Sequence, residues 1–359
     1  MHQLYFTPGP SALYPTVNLH LKDALSKGYL SASHRSAAFK DIYKETENNL
    51  RTLLSLPDNF SILFTSSANE AWERLIQNTV ENKSLHLVNG AFSKRFADIA
   101  SAYNKDAIVY SAKEGEVVHV DEIKEDQEVE LIAITHNETS TGVSQPLEDI
   151  KKLRNKFPDA LITVDAVSSL PIVDLPYDLI DSAYFSVQKC FGLPAGLGVW
   201  IVNQNCIEKA EKLENKGIIT GSYHRLLAMY KKGKDFQNVE TPNVLGIYLL
   251  GKVAGDMLTK GIGQIRNETI YKAGVLYYGL QTHPLLNPFV NDEKIRSQTV
   301  CVFNTNGESE RIINELKKKH MVIGSGYGSF KSNHIRIANF PATGKEQIEM
   351  LADKINEIQ

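Results

Sequence analysis

A chain of 359 residues, 42% hydrophobic and 23% charged, has the composition of an ordinary globular protein and enough length for a large core and more than one compact domain. Its net charge of −3 gives no basic field to hold nucleic acid or an anionic membrane surface, and it has no apolar run of the roughly 18 residues a membrane-spanning helix needs. The three cysteines, Cys190, Cys206 and Cys301, form no CxxC pair, which argues against a metal site and a disulfide framework and suits a reducing compartment. The opening MHQLYFTPGPSALYP lacks a signal-peptide pattern, so a cytoplasmic protein is expected.

Early in the chain, SASHRSAAF (31–39) places His34 and Arg35 before a helix over AAFKDIYKETENNLRTLL. Seven short apolar runs follow: FSILFT (60–65), SLHLVNG (84–90), DAIVYSA (106–112), LIAITH (131–136), ALITVDA (160–166), SAYFSV (182–187) and LGVWIV (197–202). Amphipathic stretches separate them, such as LEDIKKLRNKF (147–157), with Leu147, Ile150, Leu153 and Phe157 at helical spacing. This alternation implies an α/β fold around a mostly parallel sheet covered on both faces. The stretch YKKGKDFQN (230–238) reads as a loop. After about residue 240 come a long helical stretch, a strand over SQTVCVFNT, a helix over SERIINELKKKH, a Gly-rich loop at IGSGYGS, a strand over HIRIANF and a closing helix, which together predict a smaller α+β domain.

In such sheets ligands bind beyond the carboxyl ends of the strands, so the polar residues just after the apolar runs matter most. Asp165 closes the fifth run, where an acidic group is half buried and needs a partner. Lys189 follows the sixth, where partial desolvation lowers the pKa of a lysine and makes it nucleophilic. Pyridoxal phosphate needs both groups: a lysine to form an imine with it and a carboxylate to keep its ring nitrogen protonated. A structural ion pair fits the same spacing.

In TSSANEA (65–71), Ser67, Ala68 and Asn69 fall at a helix N-terminus that favours an anion such as phosphate; a plain helix cap reads the same way. The hydroxyls of HNETSTGV (136–143) can serve a cofactor oxygen or local turns. Phe92 can stack on a flat ring or join the core. Arg336 lies on the opposite strand face from Ile335 and Ile337, where it can grip a carboxylate or face solvent. His34 and Arg35 can bind an anionic substrate group or belong to a helix cap.

Taken in order, FTPGPSALYP, SHRSAAFKDIYKETENNLRTLLSLP, LFTSSANEAWE, VNGAFSKRFADIA, THNETSTGVSQPLEDI, LITVDAVSSL, YFSVQKCFGLPAGLGVWIV, ETPNVLGIY and HIRIANF resemble the class V aminotransferases. This pyridoxal-phosphate family of fold type I includes phosphoserine, serine–pyruvate and alanine–glyoxylate enzymes. The resemblance implies a mostly parallel seven-stranded sheet in a large cofactor domain (16–245), a smaller C-terminal α+β domain (246–359), and an N-terminal segment (1–15) packed near the active site.

It also implies that Lys189 carries the cofactor as a Schiff base and that Asp165 pairs with the ring nitrogen. Thr139 would hydrogen-bond the phenolic oxygen, and Phe92 would stack on the ring. Ala68, Asn69 and Gln188 would hold the phosphate, joined by Thr241 from the neighbouring subunit of a homodimer whose sites lie at the interface. Arg336 would clamp the substrate carboxylate. The expected reaction is transamination between a small amino donor and a keto acid, with O-phosphoserine and 2-oxoglutarate the first choice because of His34–Arg35. A serine–pyruvate or alanine–glyoxylate enzyme is the alternative.

Three positions depart from the family pattern. SSAN stands where relatives are glycine-rich, Glu240 stands where phosphoserine enzymes have asparagine, and SFKSNHIR lacks their His-Arg pair, leaving Lys331 or His334 as substitutes. A cysteine desulfurase is disfavoured because MVIGSGYGSFKS has no cysteine and Cys301 reads as core; a lyase of the same fold and a non-catalytic binder are the other readings.

Overall fold

The computed structural model describes residues 3–124 and 128–358. The elements run β1 (Leu4–Phe6), α1 (Val17–Ser26), α2 (Ala37–Leu54), β2 (Phe60–Thr65), α3 (Ala68–Thr79), β3 (Lys83–Val88), α4 (Ala91–Ala102), β4 (Asp106–Ser111) and β5 (Leu131–Thr135). There follow β6 (Asn137–Glu138), β7 (Val143–Ser144), α5 (Glu148–Lys156), β8 (Leu161–Asp165), β9 (Ser182–Ser186), β10 (Gly198–Asn203), α6 (Gln204–Asn215), α7 (Leu226–Lys234), α8 (Val244–Lys260) and α9 (Ile262–Gly279). The last elements are β11 (Asn287–Pro288), β12 (Val300–Asn304), α10 (Ser309–Lys318), β13 (Met321–Ser325), β14 (His334–Ala338) and α11 (Lys345–Asn356).

All seven apolar runs are strands, and they form one sheet in the order β2-β10-β9-β8-β5-β3-β4. The pairs from β9 to β4 are parallel, whereas β10 runs antiparallel to both its neighbours. Side chains alternate across the sheet. In β5, Ile132 and Ile134 join the core beneath α2, α5 and α8, while Leu131 and Ala133 join the core beneath α3, α4, α6 and α7. Burial on both faces explains why these strands, the half-exposed edge strand β4 apart, read as unbroken apolar runs. Helix α2 begins where the Ser36 hydroxyl accepts the Phe39 N–H at 3.2 Å and buries Phe39, Ile42, Tyr43, Leu50, Leu53 and Leu54 along one stripe.

A second sheet, β1-β13-β14-β12-β11, is covered on one face by α9, α10 and α11. Its other face carries Val300, Val302, Ala338 and Phe340, which pack on Cys190 beside Lys189. The chain's first strand, β1, pairs in parallel with β13.

Two local expectations fail. Residues 230–238 are not all loop: α7 runs through Lys234, because Leu226 and Met229 bury against the α3 and α6 side of the sheet despite the polar composition around them. The Gly-rich stretch at 323–329 is partly strand, since β13 extends to Ser325. There Gly324 lies under Pro8, with room for no side chain: a Cβ would stand 2.7 Å from the proline Cδ.

Candidate active site

The C-terminal ends of β5, β8 and β9 open on a cleft of about 460 Å³, closed on the far side by the second sheet and by residues 7–10. Asp165 is the last residue of β8, and Lys189 stands just past β9. Lys189 Nζ donates to Thr139 Oγ1 at 2.8 Å and lies 5.3 Å from the centre of the Phe92 ring. Burial pulls this amine down to about 8, against the charges of Asp165 and Glu138. Gly9, at φ +134°, passes close over the lysine; a Cβ there would sit 3.2 Å from Lys189 Cε, so the approach of the chain requires glycine.

Asp165 is 4% exposed. Its Oδ1 accepts the Val167 N–H at 3.0 Å and its Oδ2 accepts the Trp72 indole N–H at 3.2 Å. Burial pushes the carboxyl up to about 7, against the Val167 N–H and the Lys189 charge. On the opposite wall Arg336 donates through Nε to the Ser325 carbonyl at 2.8 Å and through Nη1 to the Thr139 carbonyl at 3.2 Å. Burial draws the guanidinium down to about 10. The Tyr327 ring lies 5.4 Å from that guanidinium and 5.0 Å from the Phe92 ring, and its hydroxyl accepts from Arg95 at 2.9 Å.

At the N-terminus of α3 the donors are partly used. Ala68 N–H does not stand free, as a phosphate contact would need; it donates to Ser186 Oγ at 2.9 Å. Among the described residues no acceptor is recorded for the N–H of Asn69, as is usual in a first helical turn. Asn69 and Gln188 both line the cleft. Glu138, fully buried, accepts the backbone N–H groups of Phe92 and Ser93 at 3.1 and 2.9 Å and the Ser140 hydroxyl at 2.6 Å, and so fixes the start of α4 and the Phe92 ring.

The structure thus gathers Lys189, Asp165, Thr139, Phe92, Asn69, Gln188 and Arg336 around one space. It does not bring His34, Arg35 or Thr241 there. Arg35 donates to Gln237 and to the Asn238 carbonyl, at 2.6 and 3.2 Å, and Thr241 lines a neighbouring cavity. Nor does His334 reach the cleft: it is buried between the rings of Phe330 and Phe289, at 4.5 and 4.2 Å. Trp72, Glu138 and Tyr327 were not singled out from the sequence. The one available signal was Trp72, because a buried indole N–H needs an acceptor.

A buried amine of lowered pKa, a carboxylate at the floor, an aromatic ring alongside and a helix N-terminus with part of its N–H groups free fit pyridoxal phosphate in size and chemistry. Fold and cleft together define a pyridoxal-phosphate-dependent transferase of fold type I. The aminotransferase class-V family model matches residues 4–343, and the chain belongs to that family.

Among curated relatives, the phosphoserine aminotransferase of Rhodococcus opacus is 30% identical over 360 aligned positions, covering 98% of this chain and 94% of that protein. A crystal structure of a phosphoserine aminotransferase from Cytophaga hutchinsonii is 47% identical, with a TM-score of 0.97 and 99% of each chain covered. An alanine–glyoxylate aminotransferase from a Nostoc species, 24% identical with a TM-score of 0.83 over 99% of this chain and 95% of that one, shares the fold.

Proposed function

We propose that the protein transfers the amino group between O-phosphoserine and 2-oxoglutarate, with pyridoxal phosphate carried on Lys189. The single observation behind the chemistry is the Lys189–Thr139 contact at 2.8 Å in a cleft floored by Asp165. The phosphoserine assignment is supported by the 47% identical Cytophaga enzyme and the 30% identical Rhodococcus enzyme.

When bound, pyridoxal phosphate supplies an electron sink that stabilises negative charge at the substrate α-carbon. Asp165, held by Trp72 and Val167, would pair with the ring nitrogen. Phe92 would cover one ring face, Thr139 would meet the phenolic oxygen, and Asn69 and Gln188 would hold the phosphate. Lys189 Nζ, with its pKa near working pH and freed once the donor amine takes its place, would carry the proton from the substrate α-carbon to the C4′ carbon of the cofactor. Arg336 has part of its fork held by backbone carbonyls, which fixes the rest for a substrate carboxylate.

The same reading makes the enzyme a homodimer with shared sites. Arg35, which donates to Gln237 and the Asn238 carbonyl, and Thr241, three residues after Asn238, both lie outside their own chain's Lys189 cleft, as residues serving the cleft of a second copy would. Three buried free cysteines suit the reducing cytoplasm.

The test is the absorbance spectrum of the purified protein with O-phosphoserine, serine or alanine added separately. Loss of the visible band of the lysine-bound cofactor with O-phosphoserine alone supports the assignment. Loss with serine or alanine alone moves the enzyme to the serine–pyruvate or alanine–glyoxylate type. A protein with no band after pyridoxal phosphate is supplied refutes the cofactor reading.

A further inference from the structure

One buried charged cluster has no part in the chemistry above. A cavity of about 620 Å³ adjoins the cleft at Asn69 and is walled by Glu70, His224, Glu240 and Thr241. His224 is 4% exposed. Its Nδ1 meets the Glu70 carboxylate and its Nε2 lies 2.7 Å from Glu240 Oε2, with the Tyr223 ring stacked on it at 4.3 Å. Glu70 also accepts the N–H and hydroxyl of Ser66, each at 2.8 Å, and Glu240 accepts the Asn238 amide at 3.0 Å.

Glu70 sits in the first turn of α3, a helix N-terminus that favours an anion, and Glu240 immediately precedes Thr241. Two carboxylates so placed repel a phosphate, and repel each other, unless a cation stands between them. Burial acts against a charge on His224, but hydrogen bonds to Glu240 and Glu70 outweigh it and push the imidazole up to about 9. The bridging group is therefore cationic at neutral pH. One side chain then orders the α3 turn of its own site and the segment carrying Thr241, which in a dimer serves the other site.

We propose that His224 is a positioning residue for the cofactor phosphate: it turns Glu70 and Glu240 toward itself and so keeps the α3 N-terminus and Thr241 open to an anion. This rests on the reading of the Lys189 cleft as a pyridoxal-phosphate site.

The experiment measures the dissociation constant of pyridoxal phosphate from the full-length protein for wild type, His224→Gln, Glu240→Gln and the double variant. Glutamine keeps hydrogen-bonding capacity and removes charge. His224→Gln weakens binding by about tenfold or more, about 1.4 kcal/mol. Adding Glu240→Gln recovers at least about threefold of that loss, since one of the two uncompensated carboxylates is gone. Glu240→Gln alone binds no more weakly than wild type, which tests the idea even if His224→Gln does not fold. Unchanged binding by His224→Gln, a double variant no better than the single, or a tenfold loss in Glu240→Gln overturns the proposal. Wild type that takes up no pyridoxal phosphate refutes instead the underlying reading.

Discussion

Lys189 and Asp165 each favour the other's charged form, yet burial overrides both, leaving the amine at about 8 and the carboxyl at about 7. Two groups whose ordinary values lie far apart are thereby brought close to neutrality, where a proton carrier and an ion-pairing acid are both of use.

The first prediction follows from that pairing. In cofactor-free protein, only the neutral amine of Lys189 attacks pyridoxal phosphate, so the rate of covalent capture rises with pH and levels off above about 8. Asp165 raises the lysine's value, so Asp165→Asn moves the midpoint to lower pH. Lys189→Ala captures nothing, as intact mass after borohydride reduction reveals, and loses turnover by about 10³-fold or more.

Arg336 should act on binding. Arg336→Gln removes a half-buried charge-assisted grip worth about 2 kcal/mol, so KM for the amino donor rises by about thirtyfold with a smaller change in kcat. Steady-state kinetics separates the two; an unchanged KM excludes Arg336 as the carboxylate clamp.

Gly90 is a packing constraint rather than a conformational one. A Cβ there would lie 2.3 Å from Glu138 Cγ and 2.6 Å from Ser140 Oγ. Gly90→Ala therefore displaces the carboxylate that caps α4, at a cost of about 1–3 kcal/mol, and lowers the melting temperature of the cofactor-free protein. A melting temperature equal to wild type means that Glu138 can move freely.

The Glu70–His224 pair gives stability a pH window. The histidine is raised to about 9 in the folded protein, so its contribution is complete below its ordinary value near 6.5 and disappears as pH rises through 9. Glu70 is held down to about 2: burial opposes its charge, but the hydrogen bond from His224 prevails. Its contribution is complete above about 4.5 and disappears as pH falls through 2. The melting-temperature deficit of His224→Gln is accordingly largest between about pH 4.5 and 6.5 and absent above about pH 10. A deficit that persists at high pH would show that the contacts are steric and not ionic.

The sheet was legible because its strands, the half-exposed edge strand β4 apart, are buried on two faces and read as apolar runs; Ile132 and Ala133 face different helices and are both covered. The cleft residues at strand ends were legible for the same reason, since Asp165 and Lys189 mark where apolar runs stop. What escaped depends on distant parts of the chain. Trp72 looks like any apolar residue of an amphipathic helix until Asp165 is placed at its indole N–H. Glu138 is one polar residue among many in NETSTG until α4 begins on it. His224 has no local pattern, because its two partners come from residues 70 and 240. Ala68 was placed correctly at a helix start, but the hydroxyl that takes its N–H belongs to β9.

The pairing of β1 with β13 has a bearing on biosynthesis. The residues that pass over Lys189 are translated before the large sheet, yet the strand that anchors them, Met321–Ser325, is translated after it. On the ribosome the large sheet can assemble while this leading segment still has no partner. The cleft therefore acquires its roof only after residue 325 has emerged, and a nascent chain stalled before residue 321 would present Lys189 to solvent.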